Sequence, residues 1–280
     1  MRIYDCFTFF NELDLLEIRL TELDSVVDVF VLVESDLTFQ GGQKPLYFAQ
    51  NRDRFARWLP KIRHVVVDDN PETEDPWVRE RHQRESLRRG FTDARPDDFV
   101  LISDLDEIPS RDGLSRAINE GGLRFIETRL FYHSLNLMTA TGRTWTATFI
   151  APRSEIDAIP SFTEQRFVRC SDGGRTRERV IPNAGWHFSS VGGVQAIQTK
   201  LSAFSETSPD VLAMNDRNFL SKHLKERTVF FSGEPLISVS PMCDFPEAIM
   251  HNPQHYHDLG LITDDYFSAP PIEKVLARKE

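Results

Sequence analysis

The chain has 280 residues, 40% hydrophobic and 27% charged, with a formal charge of −10. This is the composition of an ordinary soluble globular protein, long enough for one large domain or two small ones around a sizeable core. The acidic balance excludes a protein built on a basic field for nucleic-acid phosphates, so no nucleic-acid partner is expected.

The first elements alternate. Residues 3–8 form an expected strand, and Leu13, Leu16, Leu20 and Leu23 then recur at helical spacing after Asn11. Residues 26–33 are an apolar, β-branched run broken by Asp28, predicting a second strand that ends at Glu34. The glycines and proline of 39–45 mark a loop, 51–58 a short helix, and 62–67 a third strand. A charged helix over 77–89 is stopped by Gly90, and the run 99–102 is a fourth strand. Four strand–helix alternations predict a mostly parallel sheet flanked by helices, with ligands beyond the carboxyl ends of the strands.

Further on, 114–119 is an expected short helix, and 125–138 and 144–151 are expected strands, read as an antiparallel portion. Residues 171–174 read as a turn, and 194–204 and 218–225 as helices. With no repeat and no clear linker, one domain over 1–262 with a loosely docked tail over 263–280 is the simplest reading. Cys6, Cys170 and Cys243 are far apart and form no CxxC pair, which reads as reduced thiols in a cytoplasmic protein. The amino terminus enters a strand at once, without a signal-peptide pattern, and no apolar run is long enough to span a membrane. A peripheral membrane contact through a local basic surface stays open.

The stretch with the most chemistry is Asp104-Leu105-Asp106-Glu107-Ile108-Pro109, which follows the apolar run 99–102. Acids packed at one strand end repel each other unless a cation sits among them. Asp104 and Asp106, one residue apart in extended chain, fall on one side and can share a divalent ion. Mg²⁺ and Mn²⁺ prefer such oxygens and often share them with substrate phosphates. A solvated acidic turn is the plain alternative. A strand followed by Asp-x-Asp also opens haloacid-dehalogenase-type phosphohydrolases, but there the acids lie near the amino terminus.

His187, between Trp186 and Phe188, is either a core histidine or a third metal ligand. The arginines at 79, 81, 84, 88 and 89 crowd one helix as a salt-bridged face, from which one guanidinium could reach a diphosphate; Arg84 is the donor-binding candidate. Lys44, in a glycine-flanked loop, is another. His251, His255 and His257 read as loop residues.

Several longer motifs carry a resemblance. Residues 5–20, from Asp5-Cys6-Phe7 through Asn11-Glu12-Leu13-Asp14-Leu15-Leu16-Glu17 to Arg19-Leu20, are joined in order by Phe30-Val31, Val33-Glu34-Ser35, Thr38-Phe39 and Lys44-Pro45. Asp104 to Pro109 and Ala184-Gly185-Trp186-His187-Phe188-Ser189 with Lys200-Leu201 follow. Together these resemble glycosyltransferase family 17, the family of β-1,4-mannosyl-glycoprotein 4-β-N-acetylglucosaminyltransferase. The resemblance implies a GT-A-type fold, a UDP-N-acetylglucosamine (UDP-GlcNAc) donor, inverting transfer to a glycan acceptor, and Mn²⁺ (or Mg²⁺) on the diphosphate. It makes Asp106 the leading metal ligand and a catalytic residue, Asp104 a ribose or metal contact, and His187 a further ligand. Glu34 would meet the uracil or ribose. Glu107 and Glu155 are the candidates for the catalytic base. The animal enzymes are Golgi proteins with an amino-terminal anchor; none is read at the start of this chain, so a lipid-linked or polysaccharide precursor is the expected acceptor ahead of a glycoprotein glycan. A non-catalytic sugar-nucleotide-binding module is the remaining alternative.

Overall fold

The computed structural model describes residues 1–168 and 176–277. Cys170 and the turn expected at 171–174 lie outside the described residues. Of the other cysteines, Cys6 is buried and Cys243 exposed, and both are free thiols.

The chain begins β1 (Ile3–Phe9), α1 (Leu13–Leu23), β2 (Val29–Ser35), α2 (Tyr47–Gln50), β3 (Ile62–Val67), α3 (Pro76–Glu85), β4 (Phe99–Asp104), β5 (Glu107–Pro109) and α4 (Arg111–Glu120). It continues through β6 (Arg124–Tyr132), β7 (Leu137–Thr139), β8 (Thr144–Pro152), α5 (Arg153–Ile156), α6 (Phe162–Phe167), β9 (Val180–Ile181) and β10 (Gly185–Ser189). The last elements are α7 (Gly193–Ala203), α8 (Pro209–Ala213), α9 (Arg217–Glu226), β11 (Leu236–Ser238), α10 (Glu247–His251), α11 (Pro253–Asp258) and α12 (Ile272–Leu276). The chain divides into two compact units, residues 1–128 with 146–185 and residues 129–145 with 186–280.

In the first unit the strands run in the order β3-β2-β1-β4-β8. Cys6 of β1 lies opposite Val31 of β2 and Ile102 of β4, both in parallel register, and β3 is parallel to β2. β8 is antiparallel to β4, with Pro152 opposite Phe99. The α/β alternation and the switch to antiparallel pairing are those expected. Every residue of β2 is buried, as a strand with neighbours on both edges and helices on both faces requires. α1 buries Leu16, Leu20 and Leu23 of the predicted stripe, and Leu13 at its start is half-buried. Asp75 caps α3 by accepting from Trp77 N at 2.9 Å, and Pro76 occupies its first position. Gly90 is not the expected stop, since α3 ends at Glu85 and a 3₁₀ turn runs on from Ser86 to Phe91. A Cβ on Gly90 would come within 2.0 Å of Val31 Cγ1, so only glycine lets the 3₁₀ turn after α3 cross over β2.

In the second unit β10 is parallel to β6, with Trp186 opposite Arg129. β7 is antiparallel to β6, and β11 to β7. The single strand expected over 125–138 is broken, because His133 takes a φ of 69° and turns the chain between β6 and β7. α7 and α9, the two helices expected there, meet through Ile197, Leu201 and Leu220.

The expected tail needs correcting. Tyr266 and Ile272 are each 1% exposed, and Thr263 donates its N–H to Asn136 Oδ1 at 3.0 Å. Residues 263–277 therefore belong to the second unit's packing and do not begin a separate tail at 263. Among the described residues no helix is long and apolar enough to cross a membrane.

Candidate functional site

The acid turn stands where the alternating pattern puts it, at the carboxyl end of β4. Its backbone is shaped by Arg19, on the buried face of α1 and 0% exposed. The guanidinium pairs with Asp5 through Nε to Oδ2 at 2.8 Å and Nη2 to Oδ1 at 2.5 Å. It also donates to the carbonyls of Asp104, Leu105 and Glu107 at 3.0, 3.2 and 2.9 Å and to Ser103 Oγ at 2.6 Å. Three carbonyls converging on one cation fix the turn that carries all three acids.

The acids meet arginines. Asp104 Oδ1 accepts from Arg84 Nη1 at 2.6 Å and Thr8 Oγ1 at 3.0 Å, and its Oδ2 accepts from Arg166 Nη2 at 2.7 Å. Glu107 is clasped at both oxygens by Arg166, at 2.7 and 2.8 Å, and accepts from Thr148 Oγ1 at 2.7 Å and from Asp104 N at 3.2 Å. Arg84 also donates to Glu80 Oε1 from Nε at 3.0 Å and from Nη2 at 2.6 Å. Burial alone would raise the Asp104 carboxyl, but the charges of Arg166 and Arg84 and the hydrogen bonds from Arg84 and Thr8 outweigh it and hold it well below the usual carboxylate range. Burial likewise opposes the charge on Arg166, yet Asp104 and Glu107 raise its pKa above that of a free guanidinium.

Asp106 is 7% exposed and sits within the same turn. The turn also rests on the later motif, because Ser110 N donates to Ala184 O at 2.8 Å. A Cβ on Gly185 would come within 2.3 Å of Ile108 O, so glycine is needed for that approach. The Asp104–Pro109 and Ala184–Gly185 segments thus pack on each other, an approach that Gly185 permits.

Other predicted residues lie elsewhere or do other work. Glu34 is 0% exposed and accepts from Phe48 N at 3.1 Å and shares a 3.0 Å contact with His64 Nε2, with Lys44 Nζ at 3.9 Å. It is an enclosed anchor of the loop after β2, where a rim contact for a base or ribose was expected. Lys44 lies over the rings of Phe10 and Tyr47, and burial lowers its pKa against the pull of Glu34. Glu155 is exposed in α5 and accepts from Leu123 N at 3.0 Å. Pro152 lies opposite Phe99 at the amino end of β4, so Glu155 is separated from the acid turn by the length of a six-residue strand, roughly 17 Å. Glu107, the other expected base, is clasped at both oxygens by the buried Arg166 guanidinium and braces the turn from within. His187 is in the second unit, on β10, with its ring 5.4 Å from that of Trp145.

The divalent ion was expected on Asp104, Asp106 and His187. Among the described residues no group of three or more His, Cys, Asp or Glu side chains is placed to hold a metal ion. Both oxygens of Asp104 are taken by guanidinium groups, so the residues present do not fit that ligand set.

Sequence reasoning missed Arg19 and Arg166. Arg19 left a signal, since it lies three residues after Leu16 and four before Leu23, inside the apolar stripe, where a charge must find a partner. Arg166, in the short and mixed segment 162–167, left none.

The family profile described as Glycosyltransferase family 17 matches residues 1–242. Over 121 residues, 40% of this chain, the sequence is 35% identical to the β-1,4-mannosyl-glycoprotein 4-β-N-acetylglucosaminyltransferases of Rattus norvegicus and Homo sapiens. The match spans only 22% of the rat protein's length and 23% of the human one's. Among solved structures, glucosyl-3-phosphoglycerate synthase of M. tuberculosis aligns at a TM-score of 0.38 and 15% identity, over 75% of this chain and 82% of that one. The extent of the profile match, which runs from β1 past the acid turn to residue 242, places this chain in glycosyltransferase family 17.

Proposed function

We propose that the chain is an inverting N-acetylglucosaminyltransferase, moving the sugar of UDP-GlcNAc to a hydroxyl of a glycan. The observation that carries this is the family match across an ordered acid turn at the ligand-binding end of a parallel sheet. The relatives' names supply the sugar, and the acceptor is a lipid-linked, polysaccharide or glycoprotein glycan. In such a transfer the acceptor oxygen attacks the anomeric carbon as the bond to the diphosphate breaks, and the electron pair leaves with UDP. A carboxylate accepts the proton of the attacking hydroxyl. With Glu107 clasped by Arg166 and Glu155 at the far end of β4, Asp106 is the acid assigned to that hydroxyl. No step is routed through a metal, because Asp104 already holds Arg84 and Arg166.

The test is UDP release from UDP-GlcNAc with a panel of glycan acceptors. The wild type should turn over, and Asp106→Asn should lose about 100-fold or more in rate while melting normally. A wild type that binds UDP-GlcNAc but never turns over would make the chain a binding module. Full activity in Asp106→Asn would remove the assigned role.

A further inference from the structure

Asp104 stands at the middle of a chain of five charged side chains within the first unit. Glu80, Asp104 and Glu107 are its carboxylates, and Arg84 and Arg166 its guanidinium groups. Arg166 bridges two of the carboxylates with its two terminal nitrogens, and Arg84 bridges Glu80 to Asp104. Both arginines are almost fully enclosed, at 2% and 6% side-chain exposure, while Asp104 is 32% exposed. Thr8 and Thr148 occupy further lone pairs of Asp104 and Glu107. Clustered acids at a strand end need a cation, and here two guanidinium groups supply it from within the chain.

We propose that Arg84 and Arg166 are the resident countercharge of this turn, so that Asp104 is a positioning residue and not a metal ligand. Arg166 does two jobs in that arrangement. It neutralises Asp104 and Glu107 at once, and it ties α6 to the end of β4 so that Asp106 is presented from a fixed backbone. A divalent ion on Asp104 would sit against the guanidinium groups of Arg84 and Arg166, whose positive charges already flank both of its oxygens. The inference concerns charge at the turn, and it stands whichever nucleotide or sugar the site takes.

Mn²⁺ binding to the full chain, titrated by electron paramagnetic resonance without nucleotide, should respond differently to the two substitutions. Asp104→Asn should leave Mn²⁺ binding where it is in the wild type. Arg166→Gln should bind Mn²⁺ about tenfold more tightly or better, because two carboxylates lose their cation. Adding Asp104→Asn to Arg166→Gln should remove that gain. A merely structural arginine would not increase metal affinity when removed, so the gain separates the two roles. A tenfold loss in folded Asp104→Asn overturns the proposal, as does folded Arg166→Gln with unchanged affinity. If Arg166→Gln does not fold, Arg84→Gln carries the same test, since it releases Oδ1 of Asp104 and leaves the Arg166–Glu107 clasp in place.

Discussion

β2 and β4 both end in carboxylates, and both flank β1 in the same parallel sheet, yet the two ends are built differently. At the end of β2, Glu34 is sealed from solvent and spent on a backbone N–H, His64 and Lys44, so it anchors a loop. At the end of β4, Asp104 keeps a third of its surface in water while two arginines hold its oxygens and Arg19 holds the backbone beneath it. A carboxylate at a strand end is therefore no ligand contact by position alone. What else reaches its lone pairs decides whether it closes a loop, braces a turn or meets a substrate.

The comparison breaks most sharply at Arg19. Replacing it with Met leaves Asp5 buried without its partner and strips three carbonyls of a donor. A loss of about 3–5 kcal/mol is expected from urea denaturation. A loss below 1 kcal/mol would mean that the turn shapes itself without Arg19.

Glu34→Ala should cost less, about 2–3 kcal/mol, by orphaning the Phe48 N–H and removing the carboxylate beside Lys44 and His64. Its effect should stay local. Hydrogen exchange should quicken at the Phe48 amide, while amides of the turn at 104–107 keep their protection. Equal loss at both places would merge the two strand ends into one unit.

A third measurement uses the opposite end of the sheet. Asp98 is enclosed, and burial would raise its carboxyl, but the backbone N–H groups of Arg95 and Arg2 and the Arg95 guanidinium bring it down to about 2. A carboxyl depressed on folding contributes stability in full above its unfolded value. That contribution is lost as pH falls toward about 2. The wild type should lose stability over this window, and Asp98→Asn should show a flatter profile in the same acid titration, because it has no proton to take up.

The smallest effect belongs to Glu155→Ala. An exposed carboxylate on one backbone N–H should change stability by less than about 1 kcal/mol and leave sugar transfer untouched. A large fall in rate would return Glu155 to the catalytic candidates.

Much of the fold was legible because its signals are local. The fully buried β2 reads as an unbroken β-branched run, α1 as a stripe at helical spacing, and the end of β4 as the point where apolar residues give way to acids. The break at His133 was not legible, since a left-handed backbone at a histidine has no compositional mark. The docking of 263–277 left a weak signal in Ile272, Val275 and Leu276 at helical spacing, but Pro270-Pro271 just before them read as loop.

The sequence by itself determined the parallel α/β core, the position of the acid turn beyond it, and the family to which the ordered motifs belong. Only tertiary structure decided which groups hold the acids. Arg166 lies 62 residues from Asp104 along the chain, and Arg84 lies 20. Charge at a site is a sum over neighbours in space, and periodicity along the chain carries no term for a partner that arrives from another element.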